Sequence, residues 1–531
     1  MKKFLLSLLA TVILPATVSA AAPGLTIDDA ISTPPSGKVT KLSRDGDAIY
    51  SVWGQMNRAD YLSVASELVE CDNGDVYLKD PVSQLPTGLY IKGRKEGQKL
   101  VFDLPQVAYL ESYYGQIYPY KLTTMLRSDK DDTWYPVNSD KAKEQNLPTV
   151  EDKFVIDINA DGTYHYACPA DLSVMVGLVM VEDDAWAGFA EIESTWKPIS
   201  AEAVTPPVSL KADDVILYCK DKDHYVKCGI TGDDVYLQGL FSKMPDAWIK
   251  GKRDGNKLTF ASSQYVGIEP ERNAHTYFSA ANYVTTTHPV TGQPVPALEY
   301  TDELTFVYNE EEAAYVALTD QTATLNVVPD KISYIEYLRN PKLQWLPEDM
   351  SYTPEIPEII DYDYSAVYGD LRVRFKLPAY NDKGTLLKTE NIKFRFFVDD
   401  NVFVFTPTEY RDFNEDVTEL PYNIRTYDIE YIPEEGYHQV FFYFGEKPVG
   451  VQSLYYIDGT EILSDGKKVG ESKIAVAKSA GVASVTADRT VATEEYYTID
   501  GRRVAQPAPG LYVKVIEYTD GSRESVKAVV K

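Results

Sequence analysis

The chain is poor in histidine, cysteine and methionine. Among its 531 residues are 5 histidines, 4 cysteines and 7 methionines. His165, His224, His275, His288 and His438 are scattered, with no H-E-x-x-H or comparable spacing, so the sequence offers no zinc-site pattern. It has no G-x-S-x-G elbow, no phosphate-cradling G-x-x-x-x-G-K and no dinucleotide-binding glycine pattern, which removes the motif grounds for those reaction classes. Positive charge is short as well: 52 Lys and Arg against 80 Asp and Glu leave a formal net charge of −28. Such a surface repels phosphate backbones and anionic headgroups, so no nucleic-acid partner is expected. After residue 20 no run reaches the roughly 18 uninterrupted apolar residues of a membrane-spanning helix.

What is present in excess is tyrosine, with 40 residues. Together with frequent Val, Thr and Phe it favours pleated, half-buried surfaces. The length predicts three or four domains at about 150 residues each. The opening MKKFLLSLLATVILPATVSA places Lys2 and Lys3 before an apolar run from Phe4 to Leu14, then small residues at Val18 and Ala20. That order predicts a signal peptide over 1–20, and hence an exported, soluble chain. No cysteine follows the cut, so no lipid anchor is expected. Cys71, Cys168, Cys219 and Cys228 lie in the exported part, where disulfides are permitted. A two-residue turn at Asp223-His224 would set Cys219 opposite Cys228, which makes that pair the disulfide candidate, against four free thiols.

One stretch occurs twice. IKGRKEGQKLVF spans 91–102 and IKGKRDGNKLTF spans 249–260. Turns at Glu96-Gly97 and Asp254-Gly255 would make each a hairpin, apolar on the face of Ile249, Gly251, Leu258 and Phe260 and basic on the other. In that register Lys252 faces Lys257 and Arg94 faces Lys99. The likeness extends to 75–86 and 234–245, to Gln106 and Gln264, to 151–167 and 301–317, and to the closing Trp196 and Trp345. Two tandem homologous β-rich domains follow, 21–197 and 211–346, separated by a stretch carrying Pro198, Pro206 and Pro207. Beyond a second Pro-rich break, short strands at regular spacing predict an immunoglobulin-like β-sandwich over 352–474. An Ala/Ser/Val/Thr-rich tether covers 475–495, and a small β domain closes the chain at 496–531. The fold class is all-β.

Candidate sites are sparse. Lys92, Arg94 and Lys99 in the first hairpin, and Lys250, Lys252 and Lys257 in the second, make a basic strip suited to a uronic acid or carboxylate; neutralisation by acidic neighbours is the competing reading. Trp248 beside the second strip could stack on a sugar ring or be buried. Asp157, Asn159 and Asp161, followed by Gly162, fit the opening of a calcium loop. The twelfth position is Cys168 rather than Glu and the flanks read as strands, so a plain Asp-Gly turn competes. Calcium is the one cofactor suggested, and no catalytic residue is assigned.

The last residues, YYTIDGRRVAQPAPGLYVKVIEYTDGSRESVKAVVK, combine an aromatic strand, a D-G-R turn (Asp500, Gly501, Arg502), G-L-Y (Gly510, Leu511, Tyr512), a D-G turn and a basic-aliphatic strand. This segment resembles the C-terminal sorting domain of Bacteroidetes type IX secretion cargo, and the chain as a whole looks like the large exported multidomain β proteins of the same bacteria. The resemblance implies export machinery as a partner and a place on the cell surface or outside the cell, with the periplasm as the other destination. The expected function is a non-catalytic, exported binding or adhesion protein for a glycan or a protein. A secreted hydrolase acting on polysaccharide or peptide, and an envelope scaffold, are the alternatives.

Overall fold

The computed structural model describes residues 24–52, 55–83, 85–113, 115–220, 222–433, 435–464, 475–477, 491–497, 503–504, 510–518 and 523–530. The signal-peptide segment and Asp500, Gly501 and Arg502 lie outside them. The described chain is almost entirely strand and loop, and it divides into two units at Glu348/Asp349. The all-β reading holds.

In the first unit the leading repeat contains Lys38–Val52 (β1), Gln55–Glu70 (β2), Asp75–Lys79 (β3), Tyr90–Glu96 (β4), Lys99–Asp103 (β5), Gln106–Tyr113 (β6), Gln116–Ser128 (β7), Thr133–Pro136 (β8), Lys153–Ile158 (β9), Tyr164–Ala167 (β10), Val174–Met180 (β11) and Trp186–Pro198 (β12). The following repeat contains Ala212–Tyr218 (β13), His224–Thr231 (β14), Asp234–Gln238 (β15), Trp248–Asp254 (β16), Lys257–Ala261 (β17), Gln264–Glu269 (β18), Ala274–Thr287 (β19), Pro294–Thr301 (β20), Glu303–Asn309 (β21), Ala314–Ala317 (β22), Gln321–Asn326 (β23), Tyr334–Arg339 (β24) and Lys342–Trp345 (β25).

Strand pairing makes the repeats equivalent. In the first, β1-β2-β3-β4-β5-β9-β10-β12 returns to β1 and closes an eight-stranded antiparallel ring. In the second, β13-β14-β15-β16-β17-β21-β22-β25 closes the same ring. Each ring carries the same side sheet: β6-β7-β11-β12 with β8 on β7, and β18-β19-β23-β24 with β20 on β19. In the second repeat continuous β12 becomes β24 and β25. Asn340, at φ 48°, and Pro341, which has no N–H to give a ladder, break the strand there.

Both rings are filled with side chains, as an eight-stranded barrel is just wide enough to be. Phe102, Phe154 and Trp196 are fully buried in the first core, and Phe260, Phe278 and Phe306 in the second. The cores are separate clusters. The repeats meet where the β18–β19 turn reaches the edge of β2: Val64 lies opposite Ala274, the Ala65 N–H donates to Asn273 O at 2.6 Å, and Asn273 Nδ2 donates back to Ala65 O at 3.0 Å.

The hairpin register differs from the one read off the sequence. Asp254 pairs with Lys257 and Lys252 with Thr259, so the two-residue loop is Gly255-Asn256; in the first copy Glu96 pairs with Lys99 and the loop is Gly97-Gln98. Gly255 (φ 56°) and Gly97 (φ 60°) fill the first loop position, which demands positive φ in a type II′ turn. The slip of two residues leaves every face unchanged because the side-chain period is two. It removes the like-charge pairs: Arg94 faces Val101 and Glu96 faces Lys99. It also explains the repeated I-K-G. A Cβ on Gly93 or Gly251 would stand 2.6 Å from the ring of Phe102 or Phe260, so the aromatic of β5 or β17 occupies the space above the glycine.

The two glutamines have one job. Beyond the hairpin ladder, Lys92 and Lys250 have no strand partner on that side among the described pairings. Gln106 Oε1 accepts from Lys92 N–H at 2.7 Å while its Nε2 donates to Lys92 O at 2.7 Å, and Gln264 does the same to Lys250 at 2.7 and 2.8 Å. One side-chain amide thus stands in for a strand residue. Gln264→Ala is expected to cost about 1–2 kcal/mol and to speed amide exchange at Lys250, with the barrel still closed; unchanged exchange there would refute the clamp.

The register also corrects the closing tryptophans. Trp196 lies opposite Arg44 and Tyr164; the residue opposite the corresponding Leu217 and Tyr315 is Leu343. Trp345 sits two residues further on.

The second unit contains Glu358–Ser365 (β26), Asp370–Lys376 (β27), Ile392–Val398 (β28), Asn401–Val402 (β29), Leu420–Pro421 (β30), Ile429–Ile432 (β31), Tyr437–Phe442 (β32), Val449–Ile457 (β33), Thr460–Leu463 (β34) and Ala475–Ala477 (β35). One sheet runs β26-β27-β32-β31 and the other β29-β28-β33-β34. In letters these are A-B-E-D and C′-C-F-G, the immunoglobulin arrangement. Alternating apolar residues of β27, β28, β32 and β33, joined by Phe405 from the segment after β29, meet in a core that holds Phe375, Phe394, Phe396, Phe442 and Val451. Ala475–Ala477, assigned to a tether from sequence, pairs with β33. Val491–Tyr497 (β36), Arg503–Val504 (β37), Gly510–Tyr518 (β38) and Arg523–Val530 (β39) form a four-stranded sheet in the order β37-β36-β38-β39. Gly510, Leu511 and Tyr512 open β38, opposite Val530, Val529 and Ala528.

Candidate functional site

The basic strip is held by carboxylates in both repeats. Lys92 Nζ lies 2.8 Å from Asp75 and Lys250 Nζ 2.8 Å from Asp234, at corresponding places. Lys252 also reaches Asp234, at 2.5 Å, Arg94 bonds Asp103 and Glu96, and Lys99 lies 3.1 Å from Asp157. Lys250, then Lys252, holds the Asp234 carboxyl below its ordinary value through these bonds. Lys257 faces Asp254 across the hairpin, and half-buried Trp248 faces Gln238. Lys250 also lies 5.5 Å from the centre of the Tyr236 ring.

The calcium-loop candidates serve a hairpin turn. Asp157 pairs with Lys99, Asn159 Nδ2 donates to Thr163 Oγ1 at 2.9 Å, and Asp161 accepts from the Thr163 N–H and hydroxyl at 3.0 and 2.7 Å. No three His, Cys, Asp or Glu side chains among the described residues are grouped to hold a metal ion. The disulfide candidate is corrected: Cys219 and Cys228 are not joined by a disulfide. Cys228 lies opposite Asp213, because the β13–β14 connection begins after Tyr218 and keeps Cys219 inside the turn, where its sulfur accepts from the Lys222 N–H.

A buried polar cluster that no motif signalled lies in the first barrel. Glu191, with no exposed surface, accepts four bonds. Ser83 N–H and Oγ give to Oε1, both at 2.7 Å, and Tyr61 OH and Ser194 Oγ give to Oε2 at 2.7 and 2.9 Å. Arg44, equally buried, donates from Nη1 to Pro81 O at 3.0 Å and lies 5.4 and 5.8 Å from the ring centres of Trp196 and Tyr61. Its Nε and Nη2 have no partner among the described residues. Burial, and then Glu191, push the Tyr61 phenol up, so at neutral pH it is a donor and not a nucleophile. Together Arg44 and Glu191 tie the β3–β4 loop, through Pro81 and Ser83, to β1 and β12.

The second repeat is an internal control. Its β15–β16 loop is latched similarly, with Ser242 N–H and Oγ giving to Glu336 Oε1 at 2.8 and 2.9 Å and Lys243 N–H to Oε2 at 2.9 Å. Glu336, opposite Leu325, occupies the register of Phe189, opposite Leu178. The register of Glu191 is taken by Leu338 and that of Arg44 by Leu217, both buried. The same fold is therefore built once with a buried Arg and Glu and once with two leucines.

The sandwich carries the exposed counterpart. Tyr368 is 83% exposed, Tyr427 90% and Tyr443 45%, at one end of the β26-β27-β32-β31 sheet. Tyr368 stands in the β26–β27 turn, pinned by Gly369 N–H to Ser365 O at 2.7 Å. Tyr427 stands in the turn before β31, closed by Thr426 N–H to Ile429 O at 2.7 Å. Tyr443 follows β32 and packs on buried Tyr410 with ring centres 5.9 Å apart. Carboxylates surround the rings: the Tyr443 hydroxyl gives to Asp428 at 2.5 Å and the Tyr427 N–H to Asp412 at 2.7 Å. Burial, and then the bond to Asp428, raise the Tyr443 phenol, with Asp370 and Tyr427 near enough to add to the effect. A count of 40 tyrosines conceals which stay in water; their placement in turns beside Asp and Gly was the available signal.

No family model matches the chain, and no curated protein or solved structure matches it.

Proposed function

We propose that the chain is an exported, non-catalytic protein that engages a partner with its outer surface at the cell envelope, delivered there by recognition of its C-terminal sheet. The observation that carries this reading is the tyrosine and carboxylate end of the sandwich, where aromatic rings are displayed to solvent on hydrogen-bonded turns. The filled barrels support it, because ligand capture then falls to outer faces rather than to a lumen. The basic strips enter as structure, since Asp234 already engages both Lys250 and Lys252.

Deleting residues 491–531 is expected to retain the chain in the periplasm, measured by labelling intact cells with a membrane-impermeant reagent. Labelling at the wild-type level would remove the sorting role.

A further inference from the structure

We infer that the Tyr368, Tyr427 and Tyr443 end of the sandwich is a binding site for a neutral polysaccharide. The inference rests on the surface-binding reading and names its ligand. Three properties of the site select this class.

The first is aromatic display on hydrogen-bonded turns. Tyr427 sits at the apex of a turn in which Thr426 closes on Ile429 through backbone and hydroxyl, at 2.7 and 3.1 Å, and Ile429 N–H returns a bond to Thr426 Oγ1 at 3.0 Å. The Asp412 carboxylate holds the Tyr427 N–H at 2.7 Å. Tyr368 is fixed by the Gly369 to Ser365 bond and by its own N–H to Ser365 Oγ at 3.3 Å. The backbone beneath the rings is therefore ordered before a flat ligand arrives, and binding has side-chain rotamer freedom but no loop to immobilise. A pyranose offers that flat face: its axial C–H groups lie against a ring while its hydroxyls point sideways.

The second is what borders the rings. Asp370, Asp412 and Asp428 supply acceptors beside them. Asp428 uses one oxygen on Tyr443 and Asp412 one on Tyr427, so each retains an oxygen for sugar hydroxyls, which are donors. A protein partner would meet the same residues less well, since interface cores are depleted in Asp while enriched in Tyr.

The third is charge. With a net charge of −28 and three carboxylates at the site, a uronate, sulfated or phosphorylated polymer is repelled. The ligand class is therefore an uncharged glycan rather than the anionic one that the lysine strips suggested.

The test is affinity electrophoresis of the full exported chain through gels containing a soluble β-1,3-glucan, a β-1,4-mannan, an α-glucan or, as the anionic control, polygalacturonate. Immobilised purified collagen and fibrinogen serve as protein probes. Retardation is expected in at least one neutral gel and not in polygalacturonate. Tyr427→Ala and Tyr368→Ala are each expected to weaken it about tenfold, with the Lys250, Lys252 and Lys257 triple alanine variant unchanged. Near-complete exposure of Tyr427 and Tyr368 leaves folding intact, checked by an unaltered circular-dichroism spectrum. Capture of a protein probe that Tyr427→Ala abolishes, with no glycan retardation, would overturn the glycan assignment and leave surface binding standing. Retardation that survives both tyrosine changes would overturn the site. Absence of binding to every glycan and protein probe would sink the site and the surface-binding reading together.

Discussion

Glu191→Leu alone is expected to destabilise the first barrel by about 3–5 kcal/mol, and Arg44→Leu with Glu191→Leu to destabilise it far less. The single change strips the Ser83 N–H and hydroxyl and the Tyr61 and Ser194 hydroxyls of their buried acceptor, while Arg44 stays charged and buried beside Tyr61. The double change removes both charges and installs the pair that the second barrel already uses, Leu217 and Leu338. Arg44→Leu alone should fall between, because Glu191 keeps its four donors. Hydrogen exchange of β1 and β12 peptides in the full chain under rising denaturant reports the first barrel without requiring the whole molecule to unfold in one step. A double variant as unstable as the sum of the singles would show that the charges are needed by the fold itself.

The sandwich is expected to lose about 2–3 kcal/mol between pH 7.5 and pH 4.5 through one histidine. His438 is fully buried against Phe375, Tyr422 and Tyr431, with Nε2 2.6 Å from Tyr422 O. Burial, opposed in part by the bond to the Tyr422 carbonyl, lowers it from 6.5 to about 4. The fold therefore favours neutral imidazole, while the unfolded chain takes up a proton near pH 6.5. Stability from this group is complete above pH 6.5 and is lost as pH falls toward 4. His438→Phe forfeits the carbonyl bond but has nothing to titrate, so its sandwich should be less stable at pH 7.5 and should lose less on acidification. Equal losses for wild type and variant across that range would assign the acid sensitivity to carboxylates instead.

The hairpin shows how far local pattern reaches. Alternation in I-K-G and K-L-x-F assigned the faces correctly, but not the register, because a shift of two residues preserves every face. The Phe102 and Phe260 rings lying over Gly93 and Gly251 distinguish the registers, and that contact exists only across the ladder. For the same reason the tryptophans near the end of each repeat looked equivalent and are not. The sandwich strands were legible because each is short, alternating and bounded by turn residues. The Arg44 and Glu191 cluster was not: its members come from β1, β2, β12 and the β3–β4 loop, and no spacing along the chain joins them.

Composition and periodicity on their own determined that this chain is all-β, that it carries one ribbon twice, and that an immunoglobulin-like sandwich follows. Alternating burial is a property of neighbours two residues apart, which a sequence displays directly. Closure of each repeat into a ring, the pairing of the lysines with Asp75 and Asp234, the buried charges of one barrel against the leucines of the other, and the gathering of three tyrosines at one end of a sheet were decided only by tertiary structure. Those depend on which strands become neighbours and on which side chains the packing leaves in water, and both are set by the whole core at once.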